Sequence, residues 1–236
     1  MSEFIYGKNE VLAYLKTKGD VKNIYLMKQS RYDDIEKIIK QRRLNVNRVE
    51  KHVLDKKVKG VHQGVIVEID GFKYTDLDVL LREAKNKLIV MLDQVEDPHN
   101  LGAILRSVDA SGGDGVIIGK HRSVGLTSTV AKVSTGAIHH VKVAQVTNLT
   151  QTIQKLKDEG YWIVAAENGV DAISYSELNV DMPIVLILGS EGKGISRIVR
   201  EASDILVTIP MHGSVNSLNV SVATGILLFD IVNRRI

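Results

Sequence analysis

The sequence contains no cysteine in its 236 residues, which excludes disulfide bonds, thiolate metal sites and a cysteine nucleophile. It also lacks an uninterrupted apolar run of the length that crosses a membrane. Its N-terminal stretch, MSEFIYGKNEVLAYLK, carries charges where a secretion signal needs an apolar core. We therefore expect a cytoplasmic protein that does not insert into a membrane.

Signals for metals and for nucleotide cofactors are also missing. The adjacent His139 and His140 would point to opposite faces of a strand, and no His-x-x-x-His pair occurs. In the run GSEGKGIS, Ile195 follows Gly194 where a phosphate-binding loop needs Lys and then Ser or Thr. Arg197 occupies the third glycine position of a dinucleotide fingerprint. The sequence thus predicts no catalytic metal and neither of these nucleotide-binding loops.

Positive charge is concentrated in the first third of the chain. Residues 1 to 74 contain 16 Lys and Arg against 10 Asp and Glu, whereas residues 75 to 236 contain 15 against 18. Such asymmetry indicates that the first third binds a polyanion, although a solvated basic surface without a partner remains an alternative. The candidate phosphate ligands are Lys51, Lys56, Lys57 and Lys59. We expect the neighbouring His62 and Gln63 to form a turn that enters a strand.

Two domains are predicted from the alternation of elements. Residues 1–70 form a small basic α/β domain with helices at 9–16 and 33–43 and strands at 23–27, near Val46 and at 64–70. Residues 71–75 are the linker, and residues 76–236 form the second domain. Its predicted strands are 88–92, 115–118, 141–146 and 162–165, and its helices are 101–110, 127–134 and 149–159. This alternation predicts a mostly parallel sheet with helices on both faces.

Three polar strand-loop-helix junctions follow in the second domain. They are KLIVMLDQVEDPHNLGAILRS, PIVLILGSEGKGIS and ILVTIPMHGSVNSLNVSVATGILLFDIVN. Ligands in open α/β sheets bind beyond the carboxyl ends of strands, so the junctions are expected to form one composite site. Asn100 and Asn219 stand where their helices should begin, and we expect both to cap those helices.

Together the three junctions resemble the SpoU-type (TrmH-like) RNA ribose 2'-O-methyltransferases. The runs YGKNEVLAYLK and VHQGVIVEI are similar to the N-terminal substrate-binding domain of family members that act on ribosomal RNA. The resemblance implies an α/β-knot (SPOUT-like) fold with a C-terminal trefoil knot, S-adenosylmethionine as cofactor, and a homodimer. The expected partner is RNA, with no role for DNA.

The resemblance also implies a set of site residues. The catalytic set is Asn100, Arg106, Glu191, Ser217 and Asn219, and the cofactor-binding set is Gly136, Gly189, Ile209, Met211 and Leu218. Since an arginine is effectively never deprotonated, Arg106 is expected to stabilise the developing 2'-oxyanion and to face the active site. The proton acceptor stays open among Glu191, a water and an RNA phosphate, as does whether Arg106 acts in its own subunit.

The function expected from this resemblance is methyl transfer from S-adenosylmethionine to a ribose 2'-hydroxyl of ribosomal RNA, at a guanosine of the large subunit. One alternative is the same reaction on transfer RNA. Another is an RNA-binding assembly factor that has lost catalysis, against which the intact catalytic set argues.

Overall fold

The computed structural model describes residues 2–16, 20–169, 171–190 and 192–235. The chain divides into two units, Met1–Lys73 and Tyr74–Ile236, and the division falls inside the segment assigned to a linker. Each unit has its own buried apolar cluster. No helix of the described residues is long and apolar enough to span a bilayer.

The first unit is a four-stranded sheet with three helices. In chain order its elements are β1 (Ser2–Tyr6), α1 (Lys8–Lys16), β2 (Asn23–Met27), α2 (Asp33–Arg42), β3 (Val46–Val49), α3 (Lys51–Lys57) and β4 (Val65–Asp70). The strand order is β1-β4-β2-β3, in which β2 and β3 are parallel and the other pairs antiparallel. Apolar residues four apart, Val11 with Leu15 and Ile35 with Ile39, place one stripe of α1 and one of α2 in its core.

The second unit alternates strands and α-helices except between β8 and β10, where β9 and a short 3-10 turn take the place of α-helices. Its strands are β5 (Leu88–Asp93), β6 (Gly115–Gly119), β7 (Lys142–Val146), β8 (Trp162–Ala166), β9 (Ile173–Ser174), β10 (Ile184–Gly189) and β11 (Ile205–Thr208). Its helices are α4 (Leu77–Glu83), α5 (Pro98–Ser111), α6 (Ser128–Val133), α7 (Leu149–Asp158), α8 (Arg197–Ala202) and α9 (Val220–Arg235). The strand order is β7-β6-β5-β10-β8-β11-β9, and every pair is parallel. The predicted parallel sheet is confirmed.

Both faces of this sheet are covered, and the central strands are therefore apolar throughout. All six residues of β5 are buried, which is typical of a parallel strand between two helical layers. Ile89 and Met91 pack in one cluster with residues of α4, α7 and α8. Because side chains alternate along a strand, Val90 and Leu92 face the opposite layer, where α5 and α9 pack against each other and the sheet.

Two arginines hold the C-terminal end of α9. The Arg234 guanidinium donates hydrogen bonds to the carbonyls of residues 175, 176 and 178, at 3.0, 3.2 and 2.7 Å. Arg235 donates to the carbonyls of residues 86, 180 and 182, at 2.6 to 2.7 Å. Burial lowers the pKa of Arg235. These bonds join α9 to the segments that precede β5 and β10 and so fix the last helix against the rest of its unit.

Candidate active site

The second and third junctions meet at a large cavity beyond the carboxyl ends of β8, β10 and β11. Its volume is about 650 Å³. Of the predicted cofactor residues, Gly189, Ile209, Met211 and Leu218 line it. Ser217 and Asn219, from the predicted catalytic set, also lie in its wall. The third junction supplies the larger share of these side chains.

The loop after β10 folds back over the end of its own strand. Ser190 and Gly194 pair through two backbone hydrogen bonds, of 3.2 and 2.9 Å. A Cβ at Gly189 would collide with the Gly194 carbonyl group and the Ile195 amide, so glycine is the residue that permits this close approach. Gly194 itself has a φ of +67°, in the left-handed region. The fold-back places the backbone of Gly189, Ser190 and Gly194 along this wall of the cavity.

Asn168 ties the end of β8 to the loop that forms the opposite wall. Its side-chain amide donates to the Asn216 carbonyl at 2.6 Å and its Oδ1 accepts from the Thr208 hydroxyl at 2.8 Å. Asn168 lines the cavity, yet the sequence analysis did not single it out. The signal was present, because Asn168 is a polar residue just beyond a strand end. Next to it, Glu167 forms a 2.8 Å ion pair with Arg200.

A smaller cavity of about 240 Å³ lies beside the first. It is lined by Gln94, Val95, Glu96, Asp97, Asn100, Ser190, Lys193 and Val220. Three of these, Ser190, Lys193 and Val220, also line the larger cavity. The two cavities therefore share a wall. Lys193 in that wall is exposed and pairs with none of the described residues, and the sequence analysis did not select it.

One side-chain hydrogen bond connects the first junction to the third. The Asn219 Nδ2 atom donates to Asn100 Oδ1 at 2.9 Å. Asn219 also caps α9, because its Oδ1 accepts from the Ser221 amide at 2.9 Å, which confirms the predicted cap. The side-chain amide of Asn219 thus has two separate functions: its Nδ2 bonds Asn100, and its Oδ1 caps α9.

The predicted capping role of Asn100 is wrong. Asp97 caps α5 by accepting from the His99 amide at 2.8 Å, and Pro98 occupies the first turn. Asn100 lies inside the helix and is only 9% exposed. Since its side chain is not engaged as the cap, it is available to accept the hydrogen bond from Asn219.

Two of the predicted site residues that the structure describes, Arg106 and Gly136, line neither cavity. Arg106 is exposed on α5 and has no hydrogen bond or ion pair with the described residues. Gly136, with φ of +101°, begins a short 3-10 turn at Ala137–His139 and lines neither cavity. Glu191 lies outside the described residues. Among the described residues, no cluster of three or more His, Asp or Glu side chains could hold a metal ion.

Two family profiles match the chain, one for each unit. The profile of the SpoU rRNA Methylase family matches residues 87–229, which include the first two junctions and all but the last four residues of the third. The profile for RNA 2'-O ribose methyltransferase substrate binding matches residues 4–75. The substrate-binding profile ends at residue 75, two residues beyond the division between the two structural units.

Whole-chain similarity supports the same assignment. The chain is 40% identical to a putative TrmH family tRNA/rRNA methyltransferase of Bacillus subtilis over 99% of this chain and 96% of that protein. It is 47% identical to one from Staphylococcus saprophyticus, over 98% and 95%. The crystal structure of the SpoU methyltransferase AviRb from Streptomyces viridochromogenes with the cofactor AdoMet shares the fold, with a TM-score of 0.70 and 20% identity over 99% of this chain and 90% of that one. The chain therefore belongs to the SpoU rRNA methylase family.

Proposed function

We propose that this chain transfers a methyl group from S-adenosylmethionine to a ribose 2'-hydroxyl of ribosomal RNA, at a guanosine of the large subunit. The observation that carries the proposal is the pair of adjoining cavities with a shared wall. Methyl transfer needs two ligands held in contact, with the acceptor oxygen in line with the methyl group. Two adjoining cavities can hold the two ligands in this arrangement. Positioning of this kind contributes much of the rate enhancement over the uncatalysed reaction.

The larger cavity fits the cofactor in size and in chemistry. A volume of about 650 Å³ lies within the usual range of small-molecule sites. Ile209 and Leu218 supply apolar surface, and the folded-back loop after β10 supplies backbone groups that can hydrogen-bond an adenine edge. When bound, S-adenosylmethionine supplies a sulfonium methyl group as the electrophile. Asn168 would keep the loop 209–219 closed around it.

The smaller cavity would receive the ribose of the target nucleotide. Asn100 lies in its wall with an orientation fixed by the bond from Asn219. We assign Lys193, in the wall between the cavities, to the stabilisation of negative charge near the acceptor oxygen. Arg106 is proposed to stabilise the same oxyanion by its planar guanidinium. The acceptor of the hydroxyl proton is left to Glu191, a water or an RNA phosphate.

A homodimer is proposed because α9 presents an uncovered apolar face. Val222, Ile226 and Phe229 are 50%, 36% and 42% exposed, and their spacing places them on one side of the helix. A Cβ at Gly225 would lie 3.6 Å from Ser107 Oγ on α5, so Arg106 is on a helix that borders this face. A second protomer on the face would enclose Arg106, which is exposed in a single chain.

A C-terminal trefoil knot is also proposed. It is supported by the strand order, in which β10 enters between β5 and β8, and by the packing of α9 on α5. We further propose the cytoplasm as the location, because ribosomal RNA is the proposed substrate.

Ribosomal RNA is favoured over transfer RNA by the basic first unit and its substrate-binding match, although the relatives' names cover both substrates. The test is to map ribose methylation in total RNA from cells with and without the protein. We expect one 2'-O-methyl mark to disappear from large-subunit ribosomal RNA. Loss of a 2'-O-methyl mark from a transfer RNA would show that transfer RNA is the substrate. An unchanged methylation map would favour an RNA-binding assembly factor without catalysis.

A further inference from the structure

The first unit exposes two large hydrophobic side chains, and they lie next to each other. Among its described residues these are Tyr6, 38% exposed, and Val61, 81% exposed. Tyr6 ends β1, and its ring lies against Gly60, where an added Cβ would come within 2.5 to 2.8 Å of the ring carbons and hydroxyl. Val61 follows Gly60 directly. The aromatic ring and the exposed valine therefore form one surface, which we call the Tyr6–Val61 patch.

The loop that carries Val61 is fixed by a buried histidine. His62 is 6% exposed. Its Nδ1 accepts a hydrogen bond from the Gly64 amide at 2.9 Å, and its Nε2 lies 2.9 Å from Asp55 Oδ1. Because Nδ1 is an acceptor, Nε2 carries the proton and donates it to the carboxylate. The expected turn at His62 and Gln63 is confirmed, and its histidine is a structural anchor.

The next residue of the turn joins this loop to the end of β1. Gln63 has a φ of +49°, and its carbonyl accepts from the Tyr32 hydroxyl at 2.8 Å. Its side-chain Oε1 accepts from the Lys8 amide at 2.8 Å. Left-handed backbone at a residue other than glycine is costly, so these bonds hold a conformation that the loop would not otherwise keep. The patch is thus rigid although it is exposed.

Positive charge surrounds the patch. Lys8 follows Tyr6 by two residues, and Lys56 and Lys59 precede Val61 on α3 and its following loop; all three are exposed. Lys57 differs, because its ammonium lies 4.1 Å from the centre of the Tyr25 ring and 5.2 Å from that of Phe4. Of the predicted phosphate ligands in this stretch, Lys57 is therefore committed to an aromatic contact within the unit.

We propose that the Tyr6–Val61 patch stacks an unpaired base of the substrate RNA, while Lys8 and Lys59 contact the phosphates on either side. The inference rests on the proposed function, since it assumes an RNA substrate. A rigid exposed aromatic between lysines is the surface that single-stranded nucleic acid binds, because every base offers a flat apolar face. A paired stem presents its phosphates but keeps its bases stacked inside, so the patch selects loops and bulges over duplex.

The test uses full-length protein and two fluorescent RNA probes, a short oligouridine and a blunt duplex of equal charge, with anisotropy read over a salt series. We expect Tyr6→Leu to weaken oligouridine binding by roughly 5- to 150-fold, as for the loss of one base stack. Val61→Ser is expected to weaken it too, and neither variant should change the duplex affinity. Tyr6→Phe keeps the ring and should bind as wild type does.

Lys59→Ala should weaken binding to both probes and lower the salt slope on oligouridine by about 0.7. Lys37→Ala, at an exposed position of α2, is the charge-matched control and should leave the slope unchanged. Equal affinity of Tyr6→Leu and wild type for oligouridine, or no binding by wild type, would overturn the inference. A change of oligomeric state in Tyr6→Leu would instead make the patch a protein interface. Methyl transfer by wild type is measured separately. If the variants show that the patch does not bind RNA, this measurement still tests the proposed function on its own.

Discussion

The side-chain amide of Asn219 donates to Asn100 Oδ1 at 2.9 Å, although the two residues are 119 positions apart. Asn100 belongs to the buried side of α5, and Asn219 is the residue from which α9 begins. The bond therefore holds the starts of two helices together and links a residue of the smaller cavity, Asn100, to a residue of the larger one, Asn219. We infer that it sets the position of the acceptor ribose relative to the cofactor.

Asn219→Ser separates the two functions of this side chain. Serine is as good an N-cap as asparagine, but its hydroxyl is too short to replace the bond to Asn100. We expect the free energy of unfolding to fall by only about 0.5 to 1.5 kcal/mol, the contribution of one hydrogen bond, and the single-turnover rate to fall by roughly tenfold to hundredfold, as for a misplaced reactant. Denaturant titration and methyl transfer on one sample measure both quantities.

The matched control is Asn148→Ser, because Asn148 caps α7 by accepting from the Gln151 amide at 3.1 Å and lines neither cavity. It should leave both stability and rate close to wild type. Equal rates for Asn219→Ser and wild type would show that the bond between the asparagines is structural only.

Asn168→Ala should loosen the cofactor cavity. The variant loses the bonds to the Asn216 carbonyl and the Thr208 hydroxyl, each contributing about 0.5 to 1.5 kcal/mol. We expect the Kd for S-adenosylmethionine to rise by roughly 5- to 150-fold, measured by calorimetry. Thr208→Val, which removes one of the bonds, should have the smaller effect. Unchanged affinity in Asn168→Ala would remove the residue from the cofactor site.

Phe229→Asp should dissociate the proposed dimer. Phe229 is 42% exposed in a single chain, and burying an unpaired carboxylate at an interface costs several kcal/mol. We expect the dimer dissociation constant to rise by roughly 100-fold or more, measured by sedimentation velocity. Ile198→Asp, at a 58% exposed position of α8, is the control and should remain dimeric. A monomeric wild type, or dissociation of both variants alike, would contradict the α9 interface.

The stability of the second unit should depend on pH through Tyr161. Its hydroxyl is buried without a hydrogen-bond partner among the described residues, and burial raises the pKa of Tyr161 to about 12. The folded state keeps the Tyr161 phenol neutral. The stability that depends on this neutral form is therefore fully present below pH 10 and is lost as the pH rises toward 12. Tyr161→Phe should be on the order of 1 kcal/mol more stable at pH 8 and should lose less stability above pH 10. Denaturant titrations at several pH values test this, with the exposed Tyr6→Phe as control.

Much of the second unit could be predicted from local pattern. The strand that ends at Gly189 and the cap at Asn219 agree with the structure, because a continuous apolar run and a cap residue before a helix are signals carried by neighbouring residues. The resemblance to the SpoU-type family implied six of the residues that line the larger cavity, and the place of that cavity beyond strand ends is the one expected for this class of fold.

Other features depend on contacts that no local pattern contains. The strand β1 and the helix α3 are not predicted by the sequence pattern, because at five and seven residues they are too short to show a clear period. Asp97 and Asn100 are both residue types that cap helices, and Pro98, which favours the first turn of a helix, is the local signal that identifies Asp97 as the cap. The hydrogen bond from Asn168 to the Asn216 carbonyl joins segments that are distant in sequence. The same is true of the cation-π contact between Lys57 and the Tyr25 ring.

The most direct test is single-turnover transfer of labelled methyl from S-adenosylmethionine to ribosomal RNA, with the product digested to nucleosides. We expect the wild-type protein to transfer the labelled methyl group to a ribose 2'-oxygen. We also expect a loss of roughly 100- to 1000-fold in Arg106→Ala and little rescue in Arg106→Lys, because a point charge replaces a planar fork. Cofactor binding, measured by calorimetry, should be unchanged in both variants. Three results would contradict this assignment. They are label on a base, no transfer despite bound cofactor, and an Arg106→Ala rate within about threefold of wild type. The last of these is well short of the loss expected for an oxyanion donor.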